Sequence, residues 1–450
     1  MTSEDTTLDA STPWLGVDAL IDDPDTRIVV CCGSGGVGKT TTAAALGVRA
    51  AERGRKVVVL TIDPARRLAQ SMGISELDNV PRQVKGVDDA AGGELHAMML
   101  DMKRTFDEIV EGHADADRAR AILENPFYES LSAGFAGTQE YMAMEKLGQL
   151  RATDEWDLII VDTPPSRSAL DFLDAPKRLG SFLDGKFIRV LMAPAKVGGR
   201  AGMKFLNVGM SMMTGTLSKL MGGQLLRDVQ TFVAAMDTMF GGFRTRADAT
   251  YRLLQAPGTA FLVVAAPERD ALREAAYFVE RLAAEQMPLA GLVLNRVHGS
   301  GAAQLSAERA LAAAETLADH TAEDTDADAD ADVGTDTDAE NLETTGIVDL
   351  DGGNAGSRAA GDHSPGAAAR PTTRSSASAA HLAAGLLRLH AERMQVLARE
   401  RRTRDRFTAL HPEVPVTEVA ALPGDVHDLA GLRAIGDRLA LGPAETGTDS

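Results

Sequence analysis

The sequence predicts a doubly wound α/β fold with a mostly parallel sheet and a helical insertion, on three observations. Short β-branched apolar runs recur along the chain, helical stretches separate them, and a glycine-rich turn joins the first run to the first helix. Strand, crossover helix and strand in that order give right-handed parallel units, and strands covered on both faces read as continuous apolar runs.

Arg27 to Cys32 is the first run, and Lys39 to Arg53 is an Ala-rich helix that ends at Gly54. Lys56 to Ile62 is the second strand. Leu95 to Leu100, Asp157 to Val161, Ala260 to Ala265, Ala290 to Leu294 and Val414 to Val419 follow, with helical segments such as Arg269 to Glu285 between them. In such a sheet, ligands sit beyond the carboxyl ends of the strands, where the polar residues after each run collect.

Two regions break the alternation. Lys177 to Phe243 holds eight of the seventeen methionines among small residues and reads as a helical insertion. From Asp319 to Ser376, Asp-Ala and Asp-Thr repeats mix with Gly, Ser and Pro and almost no large apolar groups. Such a stretch cannot offset its ordering entropy, so disorder is expected there, in a long loop between helices at Ala302 to Ala318 and Ala379 to Thr408. The expected organisation is an N-terminal extension (1–26), a first part of the core (27–176), the Met-rich helical insertion (177–258) and a second part of the core (259–318). The acidic insert (319–376), the C-terminal part of the core (377–441) and a tail (442–450) complete it.

The 450 residues suffice for one large α/β domain with insertions, or for two domains. The net charge of -19 is local: Asp319 to Asp351 carries thirteen acidic residues and no Lys or Arg, and the remainder holds only -6. That balance gives no basic footprint for nucleic acid. Cys31 and Cys32, the only cysteines, are neighbours in a strand and point to opposite faces, which argues against a disulfide and for a reducing compartment. The start is acidic and polar where a secretory signal is basic and then apolar, and no apolar run reaches the length of a membrane span. A cytoplasmic protein without stable membrane insertion is expected.

Gly33-Ser34-Gly35-Gly36-Val37-Gly38-Lys39-Thr40 satisfies the G-x-x-x-x-G-K-[ST] pattern between a strand and a helix, the context this phosphate-binding loop requires. Its glycines let successive amides face one anion, and the positive end of the helix adds to them. Lys39 is placed for the β and γ phosphates of ATP, the Thr40 hydroxyl for a magnesium ion, and Thr41 for a further phosphate oxygen. Asp162, at the end of the apolar run Leu158 to Val161, has the form of the carboxylate that holds Mg2+ at a strand's carboxyl end, with Thr163-Pro164-Pro165 beside the γ-phosphate. Asp63, in Asp63-Pro64-Ala65-Arg66-Arg67, is a candidate to orient the attacking water. Lys39, Asp63 and Asp162 are the expected catalytic residues, with Thr40 and Asp162 at the metal.

These motifs resemble the anion-transporting ATPases, which include the arsenite-pump ATPase and the ATPase that targets tail-anchored membrane proteins. The resemblance rests on Gly33 to Thr41, Thr61-Ile62-Asp63-Pro64-Ala65, Asp162-Thr163-Pro164-Pro165 and Asn295-Arg296. With Pro267-Glu268 and Leu422-Pro423 it runs over most of the chain outside the acidic insert. It implies a P-loop NTPase of deviant Walker A type, a dimer, Asp63 in a first switch loop, Asp162 opening the second, and Asn295, Arg296 and Pro423 on the nucleotide. An amide is independently suited to a purine edge, since it offers both a donor and an acceptor. The chain departs from the family at Ser34, where most relatives carry a lysine that crosses to the partner's ATP. A heterodimer with a Lys-bearing homologous subunit is therefore favoured, while a homodimer would need Arg66, Arg67 or Arg167 in its place. The arsenite pump's cysteine triad is missing, as is the C-x-x-C pair of zinc-joined relatives, so neither arsenite nor structural zinc is expected.

The Met-rich segment, with Met203, Met210, Met212, Met213, Met221, Met236 and Met239, suits a groove for a hydrophobic client, and equally suits internal packing. Arg388 to Arg406 carries seven arginines against three acids on a helix whose buried stripe is expected at Leu382, Leu386 and Leu389. This basic face is either simply solvated or covered at low salt by the acidic insert. Two other readings stay open: a positioning ATPase of the partition and division-site type, or an ATP-binding regulatory subunit that does not hydrolyse.

Overall fold

In the computed structural model, the described residues are 13–62, 67–74, 77–126, 128, 138–164, 232, 242, 245–329 and 373–442. The chain divides into two compact units, Met1–Gly299 with Glu400–Ser450, and Ser300–Arg399. The elements in order are α1 (Val17–Asp22), β1 (Ile28–Cys32), α2 (Lys39–Glu52), β2 (Lys56–Thr61), α3 (Arg67–Ser71), β3 (Arg82–Gln83), β4 (Glu94–Met99), α4 (Met102–His113), α5 (Ala116–Leu123) and α6 (Thr138–Ala152). After β5 (Leu158–Asp162) and a helix α7 over 245–255 come β6 (Thr259–Ala265), α8 (Arg269–Ala284), β7 (Leu289–Val297), α9 (Ala307–Ala329), α10 (Thr373–Leu410), β8 (Val416–Ala420) and α11 (Leu429–Ala440).

The larger unit holds one eight-stranded sheet in the order β3-β4-β2-β5-β1-β6-β7-β8. Every pairing is parallel except β3 with β4. All five residues of β1, all five of β5 and all seven of β6 are buried, the signature of a sheet covered on both faces. Alternate residues feed two cores. Ile28, Val30 and Cys32 join Ile109 of α4, Leu147 of α6 and Phe278 of α8, while Val29 and Cys31 join Ala43 to Leu46 of α2 and Leu432 and Ile435 of α11. The two free, buried cysteines thus lie on opposite faces, as strand geometry requires. The small side chains of α2 allow its close approach to the sheet. At the β8 edge, the Val416 amide donates to the Pro13 carbonyl (2.9 Å) and the Leu15 amide to the Val416 carbonyl (3.2 Å), so the residues before α1 cover otherwise open backbone.

One cation ties the amino end of this sheet together. The buried Arg55 guanidinium donates to four backbone carbonyls: Ile21 (2.9 Å), Asp23 (3.0 Å), Thr26 (2.7 Å) and Asp157 (2.6 Å). Burial pulls its pKa down, yet the fork of donors matches carbonyls from α1, the turn before β1 and the residue before β5.

Each expected strand is present, with no end displaced by more than three residues. Residues 82–83 form a further short, exposed edge strand that has no apolar pattern to announce it. In the smaller unit, α9 continues through Asp319 to Ala329, into the stretch expected to be disordered, because adding residues to a formed helix avoids the nucleation cost. The expected stripe on α10 is overturned: Leu382, Leu386 and Leu389 are 69%, 67% and 63% exposed. The buried positions described on α10 are instead Ala384, Ala391, Leu397 and Phe407, with Ala310 and Ala314 buried on α9, and the His390 ring lies 2.8 Å from the Leu305 carbonyl. The seven methionines named above and residues 330–372 lie outside the described residues.

Candidate nucleotide-binding site

The carboxyl ends of β1, β2 and β5 converge where the strand order reverses, and the loop from Gly33 to Gly38 leaves β1 there. Two of its glycines are obligatory. Gly33 has φ 147°, and a Cβ on it would lie 2.1 Å from the Val264 carbonyl oxygen; Gly38 has φ 96°, and its Cβ would lie 2.2 Å from Asn295 Nδ2. Gly38 caps α2 without any side-chain hydrogen bond, so the first-turn amides of a fourteen-residue helix remain available to an anion. Val37 is buried beneath the loop, Ser34, Thr40 and Thr41 are half-buried, and Gly35 and Gly36 are exposed. Lys39 is buried, and its Nζ donates to the Ser34 carbonyl at 2.8 Å, which folds the lysine back along the loop it serves.

Asp162, fully buried at the end of β5, gathers the hydroxyls around it. Thr40 Oγ1 donates to Asp162 Oδ2 at 2.8 Å, and Thr61 Oγ1 donates to the same oxygen at 2.9 Å. Thr61 ends β2 directly in register with Asp162, so parallel pairing places that hydroxyl. Nothing in the sequence marks this contact, because register between strands a hundred residues apart has no local signature. The next hydroxyl, Thr163 Oγ1, donates to the Cys31 carbonyl at 2.8 Å and ties the exit of β5 to β1. Gln139 of α6 donates to the Ile62 carbonyl at 2.8 Å and so anchors the residue before Asp63. Asp63 itself, with Arg66 and Arg167, lies outside the described residues. Burial raises the Cys31 thiol well above its usual range, the nearby Asp162 charge adding to the effect, and pushes Cys32 up to about 12. Burial thus disfavours the thiolate, the form that acts as nucleophile or metal ligand, at both positions.

Asn295 is 6% exposed at the carboxyl end of β7, its Nδ2 donating to the Val37 carbonyl at 2.8 Å and its Oδ1 accepting from the Arg296 amide at 3.0 Å. Arg296 is exposed with φ 62°, at the register shift between Asn295 and Val297 opposite β8. Pro423 is exposed three residues beyond the end of β8.

A phosphate-bound magnesium ion fits this donor set. Thr40 and Asp162 supply one hydroxyl and one carboxylate, which matches an ion that keeps several waters and takes its remaining ligands from phosphates. Among the described residues, no group of three or more His, Cys, Asp or Glu forms an all-protein metal cage, and such an ion needs none. Among the described helices, none is long and apolar enough to cross a membrane.

A family model described as an anion-transporting ATPase matches residues 26–315. ATPase GET3 of Podospora anserina is similar at 26% identity over 307 residues, covering 67% of this chain and 82% of that protein. ATPase GET3 of Malassezia globosa is 28% identical over 179 residues, 40% of this chain and half the length of the relative. A protein named putative arsenical pump-driving ATPase 1, from Aquifex aeolicus, is 29% identical over 155 residues, 33% of this chain and 38% of its own length.

Proposed function

Because the chain belongs to the anion-transporting ATPase family, and is on that ground an ATPase, we propose that Gly33 to Thr41 and Asp162 bind Mg-ATP and that hydrolysis drives a conformational switch in a dimer. The observation that carries this reading is the junction of Thr40, Asp162 and Thr61 beneath an uncapped helix and a glycine loop. Loop amides hold the phosphates, and Lys39 trades the Ser34 carbonyl for β and γ oxygens. Thr40 and Asp162 would hold Mg2+, which, when bound, supplies charge neutralisation on those oxygens. Thr61 fixes the orientation of the Asp162 carboxylate. Asp63 positions the attacking water, and Asn295, Arg296 and Pro423 stand on the base side. The stretch after β2 that Gln139 anchors and the stretch after β5 are the segments that respond to the γ-phosphate.

Ser34 supports pairing with a homologous subunit that carries a lysine at this position, because two copies of this chain would leave both sites without a crossing cation. Calorimetry is expected to show Mg-ATP binding by the chain alone, and single-turnover hydrolysis is expected to accelerate when the Lys-bearing subunit is added. No nucleotide uptake in either condition would overturn the site assignment; equal rates with and without that subunit would overturn the heterodimer. The Met-rich segment supports a hydrophobic client, such as the membrane anchor of a tail-anchored protein. Deleting residues 196–223 is then expected to abolish capture of a hydrophobic tail peptide, and undiminished capture removes this reading.

A further inference from the structure

We infer that Asn295 is a positioning residue for the phosphates: its amide holds the loop in the shape that binds them, by gripping the Val37 carbonyl. The inference rests on the nucleotide-site reading above and assigns Asn295 a task at the opposite end of the ligand from the base.

A peptide unit is planar and trans, so the Val37 carbonyl and the Gly38 amide point in opposite directions. Holding the carbonyl back through the 2.8 Å bond from Asn295 Nδ2 turns the Gly38 N–H toward the other side, with the remaining amides of the cradle. The orientation of the Asn295 side chain is itself determined by its partners. Its Oδ1 accepts from the Arg296 amide, which leaves Nδ2 as the end that meets a carbonyl, and the reverse placement would set acceptor against acceptor and donor against donor. The backbone supports this at some cost. Arg296 adopts φ 62°, a left-handed conformation uncommon for a non-glycine residue, at the register shift of β7 against β8. That irregularity brings the Asn295 amide so close that Gly38 has no room for a side chain, its Cβ falling 2.2 Å from Nδ2. A strained residue, a bulge and an obligatory glycine therefore serve one hydrogen bond, and that bond ends on the phosphate loop.

The two tasks separate in a binding experiment. A residue that reads the base affects ATP against GTP and leaves inorganic tripolyphosphate untouched; one that shapes the loop weakens all three alike. Asn295→Asp, which sets a carboxylate oxygen against the Val37 carbonyl, and Asn295→Ala, which removes the donor, are compared with the wild-type chain by calorimetry with ATP, GTP and tripolyphosphate, each with Mg2+. The expected result is a parallel loss of about tenfold or more for all three ligands, the scale of one hydrogen bond to a buried carbonyl. Wild-type tripolyphosphate affinity in both variants overturns the inference, whether or not discrimination between ATP and GTP changes. Failure of both variants to fold overturns it as well, since the role would then lie in the sheet. If the wild-type chain takes up neither tripolyphosphate nor ATP, the nucleotide reading fails first, and that outcome is distinct from variants that bind as the wild type does.

Discussion

Asp162→Asn is expected to slow single-turnover ATP hydrolysis by about three orders of magnitude, the scale on which a preorganised charge at a reacting phosphate acts. The substitution keeps the shape of the side chain, and its remaining carbonyl oxygen can still accept from Thr40 or Thr61, whose hydroxyls lie 2.8 and 2.9 Å from Asp162 Oδ2. The charge that would hold Mg2+ is lost, so the Mg2+ concentration for half-maximal activity should rise while affinity for metal-free ATP changes little. Stability should hold or increase, because a fully buried carboxylate is costly to keep ionised and an amide is not. The stability readout separates a chemical role from a structural one. A rate within tenfold of wild type would remove Asp162 from the metal site.

Arg55→Ala is expected to destabilise the larger unit by about 4 kcal/mol, read as a lower urea midpoint at constant slope. Four carbonyls would lose a charged donor at once, and each buried acceptor left open costs about 1 to 3 kcal/mol, partly recovered by water entering the space. Arg55→Lys should recover little of this, since a single ammonium has three donors and no planar fork to span carbonyls from three segments. Arg55 lies at the amino end of the sheet, away from the phosphate loop, so the folded fraction should retain nucleotide affinity. A loss below 1 kcal/mol would mean that water alone satisfies those carbonyls.

Much of this structure was legible in the residues, and the part that was not has a physical pattern. Fully buried strands such as β1, β5 and β6 announce themselves because both faces must be apolar, and the loop at Gly33 announces itself because only glycine tolerates its dihedrals and contacts. Asp162 is legible as the residue that ends such a strand. Thr61 carries no such signal, since its bond to Asp162 depends on parallel register across the sheet. The α10 stripe departs from expectation for a different reason. Periodicity identifies apolar faces, and Leu382, Leu386 and Leu389 form one, but burial falls at other positions of the helix, Ala384, Ala391 and Leu397 among them. Asn295 shows the same limit at a single residue: its chemistry suits a base edge, whereas its bond to Val37 emerges only from the bulge that aims it.

The paired thiols at the end of β1 give this strand a built-in gauge. Cys31 and Cys32 immediately precede Gly33, are buried on opposite faces, and have thiol pKa values raised by that burial. An alkylating reagent reaches Cys31 when the central strand parts from the α2 and α11 layer and Cys32 when it parts from the α4, α6 and α8 layer, so the two rates measure the opening of each face of the element that carries the glycine loop. A ligand that grips the loop must slow that opening in proportion to its own occupancy, which turns two residues without chemistry into a reporter of how firmly the site is held.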